Sequence, residues 1–171
     1  MTPKCIVVLG MHRSATSLIS KGLSLAGIQM GERILVSDRG NPGGYYEDLD
    51  FVEMNKKIFK IFSREWFDPP SRTQISSLIE NKLLCYEVKN LIERNHNFGR
   101  NWGWKDPRTA ITIPFYDRFL PDDTIFVVCM RSPKKIAESL VIRNGFNMDK
   151  GLSLAKEYNQ RILEYLQSKN A

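Results

Sequence analysis

The segment of residues 6–19 constrains the fold of this chain more than any other part of the sequence. It reads I-V-V-L-G-M-H-R-S-A-T-S-L-I, so that four apolar residues, three of them strong strand formers, run into Gly10 and a polar loop. A stretch with helical apolar periodicity follows the loop, and Gly27 after it is a good helix stop. This order predicts a buried strand over residues 4–9, a tight loop, and a helix over residues 16–26.

The loop between this strand and helix has the composition of an anion site. Backbone N–H groups and the positive end of the helix dipole point at the space in front of such a loop. The loop adds the Arg13 guanidinium and three hydroxyl groups, those of Ser14, Thr16 and Ser17. The nucleotide-triphosphate pattern G-x-x-x-x-G-K-[ST] would need Gly and Lys where this chain has Ala15 and Thr16. The sequence therefore predicts phosphate or sulfate binding and argues against the usual kinase or GTPase loop.

Length and composition limit the remaining classes. A chain of 171 residues, 42% of them hydrophobic, is long enough for one domain, residues 1–171, with its own core. No apolar run has the length of a membrane span, and the first residues do not form a signal peptide, so we expect a cytoplasmic protein. Two histidines and three dispersed cysteines predict no metal site, and Cys5 and Cys129 are expected to be small buried thiols.

The net charge of +6 is compatible with nucleic-acid binding, but the basic residues are scattered along the chain. A small anionic ligand explains the excess equally well, and we expect no nucleic-acid partner. The oligomeric state cannot be inferred from the sequence.

Strands that alternate with helices predict an α/β domain with a small parallel sheet flanked by helices. Residues 124–130 are almost wholly apolar, which is typical of a central strand in a covered sheet. Ser132 is the expected N-cap of the next helix, and Pro133 its first residue. The other expected elements are a loop at 37–46, helices at 48–62 and 72–95, a strand at 102–105, a short helix to 119 and a last helix at 149–166.

A second anion site is predicted where the strand over residues 124–130 ends. Arg131 follows this strand, and Ser139 lies about two helical turns further on. Ligands of open α/β sheets bind at the carboxyl edge of the strands, where an Arg and a Ser at this spacing can hold one phosphate together.

Four segments together resemble the sulfotransferases that use 3′-phosphoadenosine 5′-phosphosulfate (PAPS). They are G-M-H-R-S-A-T-S at 10–17, N-P-G-G-Y-Y-E at 41–47, W-G-W-K-D-P-R at 102–108, and the R-x7-S pair at 131 and 139. The resemblance covers about residues 5–165, and the segments at 41–47 and 102–108 look like those of bacterial members of the family. It implies a three-layer P-loop-type fold and transfer of a sulfuryl group from PAPS to a hydroxyl or amine of a small-molecule or carbohydrate acceptor. The product is adenosine 3′,5′-bisphosphate (PAP), and no metal takes part.

The resemblance also implies roles for individual residues. The 5′-phosphosulfate would be bound by the first loop, that is by Gly10, Met11, His12, Arg13, Ser14, Ala15, Thr16 and Ser17. Arg131 and Ser139 would bind the 3′-phosphate. Arg13 would offset the charge that grows on the leaving phosphate. Glu47 is the candidate base, with His12 as its rival. Lys105 and Arg108 end a predicted strand on the side where ligands are expected, which makes them candidate ligands of an acidic acceptor or of the nucleotide phosphates.

Each of these assignments has a structural alternative. Glu47 is equally well explained as an exposed acid at a helix N-terminus, and for His12 a structural role in the loop is the preferred explanation. Lys105 and Arg108 are equally well explained by ion pairs with Asp106 or a neighbour. Ala15 stands where the family has Gly, which costs roughly 1 kcal/mol or more if φ is positive there and nothing if the residue is helical.

Two further functions stay open at this point. A P-loop nucleotide kinase would bind ATP with Mg²⁺, although the loop lacks the Gly-Lys pair. A non-catalytic nucleotide-binding module would keep the fold without turnover. The late R-K-G segment that many cytosolic family members carry is not found in the sequence, which keeps this module as an alternative.

Overall fold

The computed structural model describes residues 2–35 and 44–169, which fold as a mixed α/β structure with a small, open, three-stranded parallel sheet. Within these residues the chain forms three strands, seven α-helices and one 3₁₀ turn. In chain order they are β1 (Cys5–Leu9), α1 (Thr16–Leu25), α2 (Leu49–Ile61), α3 (Arg72–Ser77), the 3₁₀ turn (Leu78–Glu80), α4 (Lys82–His96), β2 (Trp102–Lys105), α5 (Thr109–Tyr116), β3 (Ile125–Val128), α6 (Pro133–Asn144) and α7 (Met148–Lys169).

The strand order is β2-β1-β3, with β1 at the centre. Ile6 pairs with Gly103 on one side and with Ile125 on the other. The expectation that residues 124–130 form a central strand is wrong, because β3 pairs with β1 alone among the described residues. Ile125 is accordingly 48% exposed. An apolar run signals a buried strand, but it does not tell a central strand from an edge strand that helices cover.

Apolar side chains cover both faces of the sheet. Cys5, Val7 and Leu9 belong to the large core that the helices build on one face. Val8 points to the other face, where it meets Met30 and the half-buried Leu23 of α1. Because all three strands are parallel, their carboxyl ends meet at one edge of the sheet, and the loops that follow them lie at that edge.

Helix α2 is fixed to the sheet by stacked aromatic rings. Phe51 of α2 lies over Trp104 of β2, with ring centroids 4.1 Å apart and an angle of 6° between the planes. Trp102 and Trp104 are both buried in this core. Because this stack fixes α2 to the sheet, the segment that follows Ile61 begins at a defined position relative to the sheet edge.

Helices α6 and α7 approach each other closely at one glycine. A Cβ atom at Gly151 of α7 would lie 2.9 Å from both the Cα and the Cβ of Ala137 in α6. Any larger residue at Gly151 would push the two helices apart. This contact fixes α6, whose next turns carry Ser139 and Arg143.

The prediction of one continuous helix over residues 72–95 is wrong, because the structure has two helices there, α3 and α4, with a 3₁₀ turn between them. Ser71 and Gln74 form a capping box that starts α3. The chain then leaves the helix at Asn81 (φ −82°, ψ 87°), whose side chain accepts a hydrogen bond from the Leu84 N–H and caps α4. The Asn81 side chain takes a backbone N–H of the following turn as its hydrogen-bond donor, which favours a helix start at this position. One apolar stripe is therefore divided between α3 and α4.

Most other predicted elements are confirmed. Strand β1 and helix α1 lie where the pattern places them, and Gly27 adopts the left-handed conformation of a helix stop (φ 86°). Pro133 begins α6, but Ser132 at the N-cap makes no side-chain capping bond. The last helix is longer than expected, and of the predicted loop at 37–46, residues 37–43 lie outside the described part of the chain.

Two smaller expectations concern cysteines and membranes. Cys5 and Cys129 are buried free thiols, and burial raises the pKa of Cys5 to about 12. In residues 2–35 and 44–169, no helix combines the length and the apolarity that crossing a membrane requires.

Candidate active site

The loop between β1 and α1 is tightly folded. Gly10 leaves no room for a side chain, because a Cβ atom there would lie 2.6 Å from Cγ2 of Thr16 and 2.9 Å from the carbonyl oxygen of Cys129. Arg13 (φ 69°) and Ala15 (φ 62°) both adopt the left-handed conformation, and Ala15 is the N-cap of α1. Ala15 therefore has the positive φ at which alanine is strained, and not the helical φ at which it would cost nothing.

A cavity of about 280 Å³, which we call the loop cavity, lies in front of this loop. It is lined by His12, Arg13, Ala15, Thr16, Ser17, Leu18, Tyr45, Glu47, Lys105, Pro107, Arg131 and Arg143. Eight of these residues were candidates from the sequence. Gly10, Met11 and Ser14 lie buried outside its lining, and Asn41 to Gly43 of the predicted second segment are outside the described residues.

The two predicted anion motifs are in direct contact. Nε of Arg13 donates a hydrogen bond to Oγ of Ser139 at 2.7 Å. Nη1 of Arg131 donates to the backbone carbonyl oxygen of Arg13 at 2.8 Å. Because β1 and β3 are neighbours in the sheet, the loops that follow them share one edge, and residues 118 positions apart come together.

A buried ion pair lies on the other side of the loop cavity. Nζ of Lys105 donates to Oε1 of Glu47 at 2.6 Å and to Oγ of Ser17 at 3.2 Å. The side chains of Lys105 and Glu47 are only 1% and 8% exposed. Burial, and then the nearby Asp106 carboxylate, raise the pKa of Glu47, while Lys105 opposes the rise.

These contacts settle the structural alternatives that the sequence left open for Glu47 and for Lys105. Glu47 is not an exposed acid at a helix N-terminus; that capping role belongs to Asp48, which accepts a hydrogen bond from the Asp50 N–H at 2.9 Å. Lys105 makes the ion pair with a neighbour that the sequence left open, and the neighbour is Glu47. Both groups line the loop cavity, so the pair faces whatever binds there.

Arg108 is placed differently from the other candidates. Its Nε donates to both carboxylate oxygens of Asp106 at 3.0 Å, and Asn55 of α2 donates to the same carboxylate at 2.9 Å. Burial lowers the pKa of Arg108, but the charge and hydrogen bond of Asp106, together with smaller contributions that include Glu47, outweigh burial and the pKa is raised. Arg108 does not line the loop cavity and faces a separate one.

His12 is a neutral imidazole at the wall of the loop cavity. Burial, and then the positive charges of Arg108 and Lys105, lower its pKa well below the usual value. Its ring lies 4.5 Å from the ring of Trp66, centroid to centroid. The Nε2 atom is buried and has no hydrogen-bond partner among the described residues, and the same holds for Oγ of Ser14 in the loop.

Arg143 and Tyr45 belong to the loop cavity although the sequence argument did not name them. Nη2 of Arg143 donates to the hydroxyl of Tyr45 at 3.2 Å. Burial, and then the charges of Arg143 and Arg131, lower the pKa of Arg13. All three guanidinium groups belong to residues that line the loop cavity. The signal for Arg143 was its i+4 spacing from Ser139, since residues one turn apart share a helix face.

The chain matches no protein-family model, no curated protein and no solved structure. In the described part of the chain, no three His, Cys, Asp or Glu side chains are arranged to hold a metal ion. The arguments for function that follow depend on the geometry of the loop cavity and on the motifs that form it.

Proposed function

We propose that this protein is a PAPS-dependent sulfotransferase with a three-layer P-loop-type fold. The observation that carries the proposal is the contact between its two anion motifs, Arg13 with Ser139 and Arg131 with the Arg13 carbonyl. Together with Arg143 they place three guanidinium groups around one cavity at the carboxyl edge of the sheet. The carboxylate in the lining, Glu47, is already paired with Lys105. This distribution of charge suits a ligand with more than one anionic group.

The residues present fit a phosphosulfate nucleotide. The absence of a side chain at Gly10 lets the loop pack closely against Thr16 and Cys129. The buried Nε2 of His12, at the wall of the loop cavity, has no hydrogen-bond partner among the described residues and is available to a ligand. The loop with Arg13 would bind the 5′-phosphosulfate, and Arg131 with Ser139 the 3′-phosphate. When bound, PAPS supplies a sulfuryl group on a phosphate leaving group.

The side chains around the loop cavity have distinct tasks in such a transfer. Glu47 would accept the proton of the acceptor hydroxyl, whose oxygen becomes bonded to sulfur as the bridging S–O bond breaks. Arg13 would offset the negative charge that the leaving 5′-phosphate oxygen keeps. Burial supports Glu47 in this task, because a carboxylate with a raised pKa is a stronger base. His12 is a weaker base than an ordinary histidine, since burial and then the nearby positive charges lower its pKa.

The first experiment is calorimetric titration with PAP and with ADP, each with and without Mg²⁺. We expect PAP to bind more tightly than ADP and independently of the metal. Arg131→Ala should weaken PAP binding by about tenfold or more, because a charge-assisted bond to phosphate is lost. Arg118→Ala removes the same charge from an exposed position outside the loop cavity and serves as the control.

The alternative functions predict other results. Preference for ADP with Mg²⁺ would indicate a kinase, and binding of neither nucleotide would refute the proposal. Tight PAP binding without transfer from PAPS to any of a panel of hydroxyl and amine acceptors would indicate a non-catalytic module. In the active protein, Arg13→Ala should lower kcat by about 100-fold, since an electrostatic contact to the transition state is removed.

A further inference from the structure

A second cavity, of about 490 Å³, lies beside α2, and we call it the α2 groove. It is lined by Lys56, Phe59, Lys60, Ser63, Arg64, Glu65, Trp66 and Arg108. Four of these eight residues are cationic and one is acidic. The lining of the groove is therefore predominantly basic, and the groove has no part in the proposed binding of PAPS.

Two of the four cations have their charge matched within the protein. Arg108 pairs with Asp106 at 3.0 Å, and Arg64 pairs with Asp68. Lys56 and Lys60 lie one turn apart on α2, both are exposed, and neither has an ion-pair partner among the described residues. Adjacent lysines without counter-ions create a positive potential that an anion relieves.

The α2 groove and the loop cavity share a wall. Trp66 lines the groove, and its ring packs at 4.5 Å from His12, which lines the loop cavity. Pro107 lines the loop cavity and the next residue, Arg108, lines the groove. A molecule in the groove would thus lie next to the site proposed for sulfuryl transfer.

We propose that the α2 groove binds an anionic group, a carboxylate, phosphate or sulfate, of the acceptor molecule. This inference rests on the proposed transferase function and adds to it the chemical class of the acceptor. Lys56 and Lys60 supply the free charges, because those of Arg64 and Arg108 are already matched by Asp68 and Asp106. An uncharged acceptor of the same size would lack these contacts and bind more weakly.

The groove can be tested with a chondroitin tetrasaccharide, which carries carboxylate groups, against N-acetylchitotetraose, which is uncharged. Trp66 reports on binding, because Trp102 and Trp104 are at most 1% exposed and the sequence has no other tryptophan. Fluorescence titrations are run with saturating PAP, so that the loop cavity is already occupied. We expect the charged probe alone to bind.

Two double variants remove the same charge from different places. Lys56→Ala with Lys60→Ala should weaken binding of the charged probe by about tenfold, since two charged contacts are lost. Lys57→Ala with Lys89→Ala should change it by less than about twofold. Lys57 pairs with Glu87 and Lys89 with Glu93, and neither lysine lines the groove. All four lysines are exposed, and circular dichroism checks that both variants fold.

The proposal is overturned if both double variants bind the charged probe equally well, if the uncharged probe binds as tightly, or if PAP displaces the probe. The outcome is separable from that of the proposed function. If PAP does not bind but the lysine pair still controls probe binding, the groove stands as an anion site and the transferase proposal fails. If PAP binds and the charged probe does not, the transferase proposal stands and the groove proposal fails.

Discussion

Replacing Ala15 by Gly should stabilise this protein although it removes a methyl group from a helix N-cap. Ala15 has φ 62° and ψ 18°, a conformation in which the Cβ atom crowds the backbone. Glycine has no Cβ atom and adopts this conformation without strain. Its side chain is exposed and makes no capping hydrogen bond, so little packing is lost. The change in stability therefore reports on the backbone of the loop alone.

The size of the effect follows from two opposing contributions. Relief of the left-handed strain is worth about 1–2 kcal/mol for a residue other than glycine. Glycine has more freedom in the unfolded chain, which opposes folding by about 0.4–1 kcal/mol. The free energy of unfolding should thus increase by about 0.5–1 kcal/mol, and the melting temperature by about 1–4 °C for a chain of this length.

Urea denaturation of Ala15→Gly and Ala26→Gly gives a matched test, because the same methyl group is removed at both ends of α1. Ala26 is exposed and has φ −80°, so glycine there brings only the entropic loss and should destabilise by about 0.5–1 kcal/mol. Opposite signs for the two variants are the expected result. Equal destabilisation by both would refute the left-handed conformation at Ala15 and, with it, the loop geometry on which the anion site depends.

Three further predictions concern the same site. Because the folded pKa of His12 lies below its unfolded value near 6.5, stability is present above that value and is lost as the pH falls below it. Between pH 7.5 and 5.5 the wild type should lose up to about 1.4 kcal/mol that His12→Asn does not lose, which is the most that one group with an unfolded pKa near 6.5 can contribute over this range; His96→Asn is the control in urea titrations. Gly10→Ala should destabilise by about 1–3 kcal/mol and weaken PAP binding, because the new Cβ would overlap Thr16; unchanged binding would contradict the role of the loop. Arg143→Ala should weaken PAP binding by about tenfold in calorimetry while leaving the unfolding midpoint nearly unchanged, and an equal loss of affinity for adenosine would contradict a contact with phosphate.

The parts of the fold that the sequence predicts are those with a local physical cause. The apolar run of β1 and the stop at Gly27 act over a few neighbouring residues, and both are found where expected. Arg131 and Ser139 were placed at the same edge as the first loop because parallel strands end at a common edge. The division of α3 from α4 was local too, since Ser71 and Asn81 are both cap formers, but the apolar stripe outweighed them in the prediction.

The parts that could not be predicted depend on partners far away in the chain. Glu47 and Lys105 are 58 positions apart, and only the folded sheet shows that each is the other's counter-ion. The edge position of β3 depends on which strands pair, and its apolar composition carries no such information. Arg108 was expected at the same site as Lys105, yet consecutive loop residues point in different directions, and Asp106 holds Arg108 towards the α2 groove.

Helix α2, which carries Lys56 and Lys60 of the α2 groove, is fixed to the strand and loop that supply Lys105 and Pro107 to the loop cavity. Its inner side is held by the Phe51–Trp104 stack and by the hydrogen bond from Asn55 to Asp106, both of them buried. The next residue, Lys56, already faces the groove, so the groove lysines keep a fixed position relative to the strand that ends in Lys105. A transfer reaction depends on holding donor and acceptor in register, and side chains on a helix that is fixed to the sheet achieve this better than side chains on a loop. Loosening the inner side of α2 should therefore impair acceptor binding before it impairs PAP binding, because the PAP contacts proposed here lie in the loop after β1, at the start of α1, after β3 and on α6.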